Sequence, residues 1–441
     1  MNSANRIIIK RLGLKVVQAF KILEQEKIQV SNSSGKAGET PGGTALAASV
    51  GQAVVAQIPL RYAAGEYKDR LLDARNTQDY GEAIQLIEEA VKAKLTFLTD
   101  ERTRRDIESI VRGLKESGDV QGAVILATFC FRNKINYETR PNAITTKTVI
   151  VSGQKECPVE TAHLMSSAIE NGLIFEEKMI MTTAVHVNEK RKPENSVAYG
   201  GLVLAAVKNK QLKDSKFVET VMARLANPQM QEEENNDDDI CQRAEFAYQI
   251  AAEYLDKGLP IIDKTRIDKT RIDKIIHDLR RIPKQILNAC RLLLKAFKCE
   301  GLDISPITVE STISTVSSTR ENLSLDKKLG ELLYKVISAA LEKYERDTFN
   351  WETFDVLCQV LMKSDETKVF ALQIAVKCAE SGYILRARTY DNIYNGTDGL
   401  QEVQKRRDLT QKREQLPDLI KIGHETTIEK PVERTDLRGG L

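Results

Sequence analysis

One spacing constrains this chain more than any other feature: a small residue, a second one seven positions later, and a turn four further on. Ala83, Ala90 and Lys94 carry it first, followed by Ala123, Cys130 and Lys134, by Thr161, Ala168 and Gly172, by Tyr199, Ala206 and Lys210, and near the end by Ala371, Cys378 and Gly382. Seven residues bring a helix back to nearly the same face, and small side chains on that face let a neighbouring helix approach closely. The turns recur at roughly 36 to 48 residues, one helix hairpin each in a helical array. Ala247 to Gly258 and Cys290 to Gly301 follow the pattern more loosely, with Tyr254 and Phe297 at the second small place.

The stretch Val197 to Met222 shows what such a unit contains. Val197, Leu202, Leu204 and Val207 supply one apolar side, Asn209 to Gln211 turn the chain, and Phe217, Val218, Val221 and Met222 supply the other. A hairpin this small cannot bury its own faces, so it must stack on others like it. Over 441 residues with only 5% aromatics, the pattern predicts an all-α fold: a right-handed α-solenoid of about seven to eight antiparallel helix hairpins.

Composition shifts mark the boundaries. Residues 1–30 form a basic amphipathic segment: from Met1 to Leu23 there is no acid, and Arg6, Lys10, Arg11, Lys15 and Lys21 alternate with apolar residues such as Ile7, Leu12 and Phe20. This reads as a first helix docking on the array, with a mitochondrial transit peptide as the alternative. Residues 31–43, SNSSGKAGETPGG, read as a flexible linker. Residues 44–78 are expected to be N-terminal capping helices, the first of them Ala- and Val-rich and ended by Pro59. The solenoid follows over 79–400, interrupted by an acidic loop at 231–239, QEEENNDDD. Just beyond it IDKTR occurs twice and IDK begins a third copy, a short duplication. Residues 401–441 are expected to be one exposed charged helix and, from Pro417 on, a polar flexible tail. No apolar run is long enough for a membrane span.

The run Phe370 to Gly396, FALQIAVKCAESGYILRARTYDNIYNG, resembles a pentatricopeptide repeat, as the second helix of one unit and the first of the next. Ala371, Gly382, Thr389, Tyr390 and Gly396 fall at that family's motif places. Val197, Tyr199, Leu202, Leu212 and Met222, with Ser215 at a small-residue place, match the same template. The resemblance, shared with related tetratricopeptide-like arrays, implies an α-solenoid. In the family, nucleotide reading depends on polar residues near the start of each first helix, and here Asp391 stands at an Asn place and Gly200 at another.

The chemistry-bearing motifs are sparse. Gly35 and Lys36 lack the second glycine and the hydroxyl of a phosphate loop. Seven cysteines at wide spacing, with no CxxC pair and four histidines, read as buried reduced thiols in a reducing, cytoplasmic compartment. Cys157 and His163 read as core residues, and no hydrolase, zinc-protease or kinase motif occurs, so the chain reads as non-enzymatic, with no cofactor, metal or small-molecule substrate. The terminal Leu437 to Leu441 resembles a ubiquitin-type end without the fold that would precede it, and Glu425, Glu429 and Glu433 resemble the acidic block of bacterial secretion substrates, a secreted effector being a further reading.

A formal charge of +2 provides no global field for nucleic acid. The basic positions are local: Lys264, Arg266, Lys269, Arg271, Arg280, Arg281, Lys284 and Arg291 form the candidate partner surface. Stacking aromatics are absent among them, so a protein partner on the concave face is the leading reading, and single-stranded RNA the alternative.

Overall fold

A computed structural model describes residues 62–139, 141–189, 193–227, 237–257, 270–299, 302, 304–318, 326–345 and 348–428; at 64, 141, 189, 193, 194, 237, 270, 271, 283 and 423–428 it describes the backbone alone. All regular structure among these residues is helical. The basic N-terminal segment, the linker and the first capping helix fall outside the described residues. Packing divides the chain into two compact units, 1–187 and 188–441.

In the first unit, helices α1 (Ala64–Thr77), α2 (Tyr80–Lys92), α3 (Glu101–Glu116), α4 (Val120–Arg132), α5 (Ile144–Glu156) and α6 (Pro158–Glu170) pair as consecutive hairpins. The first helices α1, α3 and α5 also pack side by side, as do the second helices α4 and α6. Helix α7 (Glu177–Glu189) joins the row of first helices through a hydrogen bond from Gln154 to Thr183 at 2.9 Å. Aspartates start the second helices: Asp79 accepts from Glu82 N–H and Asp119 from Gly122 N–H, each satisfying a backbone donor that the helix leaves free.

The second unit repeats this logic with α8 (Pro193–Lys208), α9 (Ser215–Ala226), α10 (Asp237–Asp256), α11 (Thr270–Arg280), α12 (Ile286–Lys298), α13 (Pro306–Ser318), α14 (Lys327–Lys343), α15 (Trp351–Leu361), α16 (Asp365–Glu380) and α17 (Ala387–Gly396). Helices α9, α11, α13, α15 and α17 make one row, and α8, α10, α12, α14 and α16 the other. Between α8 and α10 the approach is close, because a Cβ on Gly200 would lie 2.8 Å from the Phe246 ring. Gly330 on α14 meets Phe370 on α16 in the same way.

Every residue of the small-residue spacing has a physical role. Ala83, Ala90, Ala123, Cys130, Ala168, Tyr199, Ala206, Ala371 and Cys378 are buried, and so is Met222 on α9. The turn residues Lys94, Lys134, Gly172, Lys210 and Gly382 all have left-handed backbones, with φ between 55° and 87°. After each, the next N–H donates back to the carbonyl of the second small residue, as Leu95 does to Ala90 and Tyr383 to Cys378, both at 2.9 Å. Gly172 and Gly382 are thus turn residues at the ends of their helices.

Two boundaries differ from expectation. Residues Asp237 to Asp239, assigned to an acidic loop, begin α10, where negative charge complements the helix dipole; 231–236 lie outside the described residues. Past Gly396 the single exposed helix is replaced by α18 (Gln401–Lys405) and α19 (Arg407–Glu414), which bury Val403 and Leu409. Pro417 does not begin a tail. It occupies the first turn of α20 (Leu416–Ile428), where its missing N–H costs nothing, and α20 packs on α17.

Candidate functional site

The first helices are positioned by carboxylates that reach forward to the start of the next first helix. In the second unit Asp273 accepts from Ser305 N–H at 3.1 Å, Glu310 from Asn350 N–H at 3.1 Å and Asp355 from Arg386 N–H at 3.0 Å. Each donor immediately precedes its helix, so every clamp neutralises one of the free donors there and sets the spacing between neighbours. The acids stand at the fourth or fifth position of their helices, and the fifth positions of α9 and α17 hold Glu219 and Asp391.

In the first unit the α3–α5 junction is a buried cluster. Glu108 accepts from Thr139 N–H and O–H and from Thr145 O–H at 2.7 Å. Glu138 accepts from the N–H of Thr145 and Thr146, at 3.2 and 2.9 Å, and from Thr146 O–H at 2.8 Å. Tyr137, wholly buried, places its hydroxyl 2.9 Å from that of Thr146, and desolvation holds its pKa well above the usual phenol value.

With first helices so fixed, their outward faces form a candidate site in each unit. Exposed large apolar side chains among the described residues fall mainly here: Ile144 and Val151 on α5, Val185 on α7, Ile307 on α13 and Val356 on α15, with Ile174 in the turn leading to α7. Ile307 is 75% exposed. Along α5 the exposed stripe is Ile144, Thr148, Val151 and Lys155; along α13 it is Ile307, Ser314 and Ser318, with half-buried Ser311 between them, at the four- and seven-residue spacings of one helix face. Between α13 and α15 the surface dips into an open groove of about 560 Å³, whose lining includes Ser314, Ser317, Thr353 and Val356.

Among the described residues the basic positions are not gathered there. Lys264, Arg266 and Lys269 lie outside the described residues, and of Arg271 only the backbone is described. Arg280 is half-buried at the end of α11, reaching Thr315 at 3.4 Å, with its pKa lowered by desolvation and by Arg281. Arg281 is exposed. Lys284 pairs with Asp238 at 2.9 Å, and Arg291 donates to Asn288, which in turn donates to Glu245 of α10. Their partners are thus split between α13 of one row and α10 and α12 of the other.

Burial suppresses thiol and imidazole chemistry. Desolvation pushes the Cys130 and Cys290 thiols up to about 12 and Cys157 to about 11, while Cys241 and Cys299 are only half-buried. His163 is lowered to about 4 by burial and by Arg132, so it is neutral at pH 7. Among the described residues no group of three or more metal-ligating side chains comes together, and no helix is long and apolar enough to cross a membrane. No family model matches the chain, and no curated protein matches it.

Proposed function

We propose that this chain is a non-enzymatic helical-repeat scaffold or adaptor that binds a protein partner along the outward faces of its first helices. One observation carries the reading: within each unit exposed large apolar side chains lie on first helices, Ile144, Val151 and Val185 in the first and Ile307 and Val356 in the second, interleaved with uncharged hydroxyls, the mixture expected of a protein-binding face. The row-wise packing within each unit supports the reading of an α-solenoid of about seven to eight hairpins, pentatricopeptide-like or related to tetratricopeptide arrays.

Charge favours protein over RNA. At the helix starts where the pentatricopeptide family reads bases, Glu310 and Asp355 are committed to backbone N–H groups, and carboxylates there repel a phosphate chain. The test compares the intact protein with Val151→Asp/Val185→Asp and Ile307→Asp/Val356→Asp in recovery from native lysate, with and without ribonuclease. A protein partner retained through ribonuclease and high salt, and reduced at least about tenfold by an Asp pair, is the expected result. Retained RNA that falls steeply with salt and ignores the Asp substitutions would overturn it.

A further inference from the structure

Beside the apolar side chains of α5 and α7, the outward face of the first unit carries positive charge. Along α3 it presents Arg102 and Arg105, exposed, and Arg112, half-buried, at the three- and seven-residue spacings of one helix face. Glu101 pairs with Arg105, and Glu116 lies 3.9 Å from Arg112. Both are surface pairs four residues apart, which are worth little and exchange readily for another acid. Arg102, Lys155 at the end of α5 and Lys178 in the first turn of α7 are exposed, and among the described residues no acid pairs with any of them.

Adjacency makes these residues one surface. Helices α3 and α5 pack side by side, and the hydrogen bond from Gln154 to Thr183 joins α5 to α7. With neighbouring helices about 10 Å apart, the three span about 20 Å, a distance that about six extended residues cross. Val151 and Val185 are exposed between the cations, and among the described residues no aromatic side chain stands on these three stripes. A nucleic-acid strand finds nothing to stack on there, and its phosphates cannot cover the valines. A peptide with carboxylates beside aliphatic side chains fits both kinds of contact. On the other side of α3, α1 exposes Glu66, Asp69 and Asp73, which repel further acids and bound the surface.

We infer that the outward face of α3, α5 and α7 binds an acidic, aliphatic segment of a partner protein. Its carboxylates pair with Arg102, Arg105, Lys155 and Lys178, and its aliphatic side chains cover Val151 and Val185. The inference rests on the protein-binding reading above and narrows it. In the first unit the partner is chosen by charge, whereas the α13 stripe of the second, Ile307, Ser311, Ser314 and Ser318, carries none.

The test selects random peptides displayed on phage against the full chain, with oligo-uridylate as the RNA probe. The recovered peptides are expected to be enriched in Asp and Glu beside Leu, Ile or Val. A synthetic copy of the most frequent one is expected to bind at least about tenfold more weakly to Arg102→Glu/Lys178→Glu and to Val151→Asp/Val185→Asp, equally well to Ile307→Asp/Val356→Asp, and less tightly as salt rises. Arg102 and Lys178 stand in first helical turns, where an acid suits the helix dipole, so the reversal leaves the thermal transition unchanged. Replacing the peptide's acids by lysine restores its binding to Arg102→Glu/Lys178→Glu. Recovery of no acidic peptide, or equal affinity for the native and charge-reversed chains, would overturn the inference. If binding is lost only in Ile307→Asp/Val356→Asp, this inference falls and the protein-binding reading stands; if oligo-uridylate binds in place of peptide, both fall.

Discussion

The two units hold their first helices together with the same chemical group, used differently. In the first unit the α3–α5 junction gathers Glu108, Glu138 and three threonines into one buried cluster, and Glu138 alone serves two backbone N–H groups. In the second unit the α11–α13, α13–α15 and α15–α17 junctions each have a single carboxylate serving the one N–H ahead of the next helix. The cause lies in the connecting backbone. Asn142 and Ala143, just before α5, have φ of 63° and 52°, a conformation unfavourable for residues with a side chain, and Glu138 holds the turn that follows. Ser305, Asn350 and Arg386 enter their helices without a left-handed residue and need less support. A shared device is therefore concentrated where the chain is strained and dispersed where it is not.

Truncating the two carboxylates breaks the comparison most directly. Glu138→Ala strands two buried N–H groups and the Thr146 hydroxyl and releases the left-handed turn, so it is expected to cost at least about 3 kcal/mol. Asp355→Ala, although its side chain is 1% exposed, strands only Arg386 N–H, because Gln359 reaches solvent, and is expected to cost about 2 kcal/mol. Urea unfolding with hydrogen exchange read peptide by peptide checks both. Loosening confined to α3–α6 in the first variant and to α15–α17 in the second is expected; equal losses would mean that the cluster is no stronger than a single clamp.

This contrast also shows what was legible in the sequence. The hairpins were, because the small residues and turns at 90/94, 130/134 and 378/382 report a local geometry that needs only a few adjacent residues. The clamps were not. Asp355 and Glu310 look like ordinary surface acids, and their partner is a backbone N–H 31 or 40 residues away, which any residue type offers. The outward stripe was missed because Ile307 and Val356 fall at the same helical spacing as core residues. Only the packing of the rows separates an apolar face turned inward from one left exposed. Pro417 misled because a proline that breaks a helix interior is tolerated in a first turn.

Acid sharpens the difference further, because the first unit also buries a titratable imidazole. His163 is held at about 4 by desolvation and by Arg132, against about 6.5 in an unfolded chain. The unfolded state therefore binds the proton first. The stability from keeping His163 neutral is complete above pH 6.5 and is lost as pH falls toward 4, amounting to about 3 kcal/mol in total. Denaturation of the native chain and of His163→Gln between pH 7 and 4 is expected to diverge by that amount, with the additional acid loosening confined to α4 and α6. Parallel curves would mean that the imidazole is already protonated in the folded protein.

The smallest effect concerns the turns, where the units differ in residue choice. The left-handed position after a second helix is occupied by Lys94 and Lys134 and then Gly172 in the first unit, and by Lys210 and Gly382 in the second. All five form the same carbonyl return bond, so the lysines adopt without a glycine's freedom what glycine adopts without strain. Replacing lysine by glycine removes about 1 kcal/mol of left-handed strain but returns part of it as greater freedom in the unfolded chain, leaving a net gain of about 0.5 kcal/mol per site. Lys94→Gly/Lys134→Gly is then expected to raise the first unit's unfolding midpoint by about twice the shift that Lys210→Gly gives the second. A loss at either lysine would mean that its aliphatic stem packs across the turn, and that the lysines are retained there for contact rather than tolerated despite their backbone.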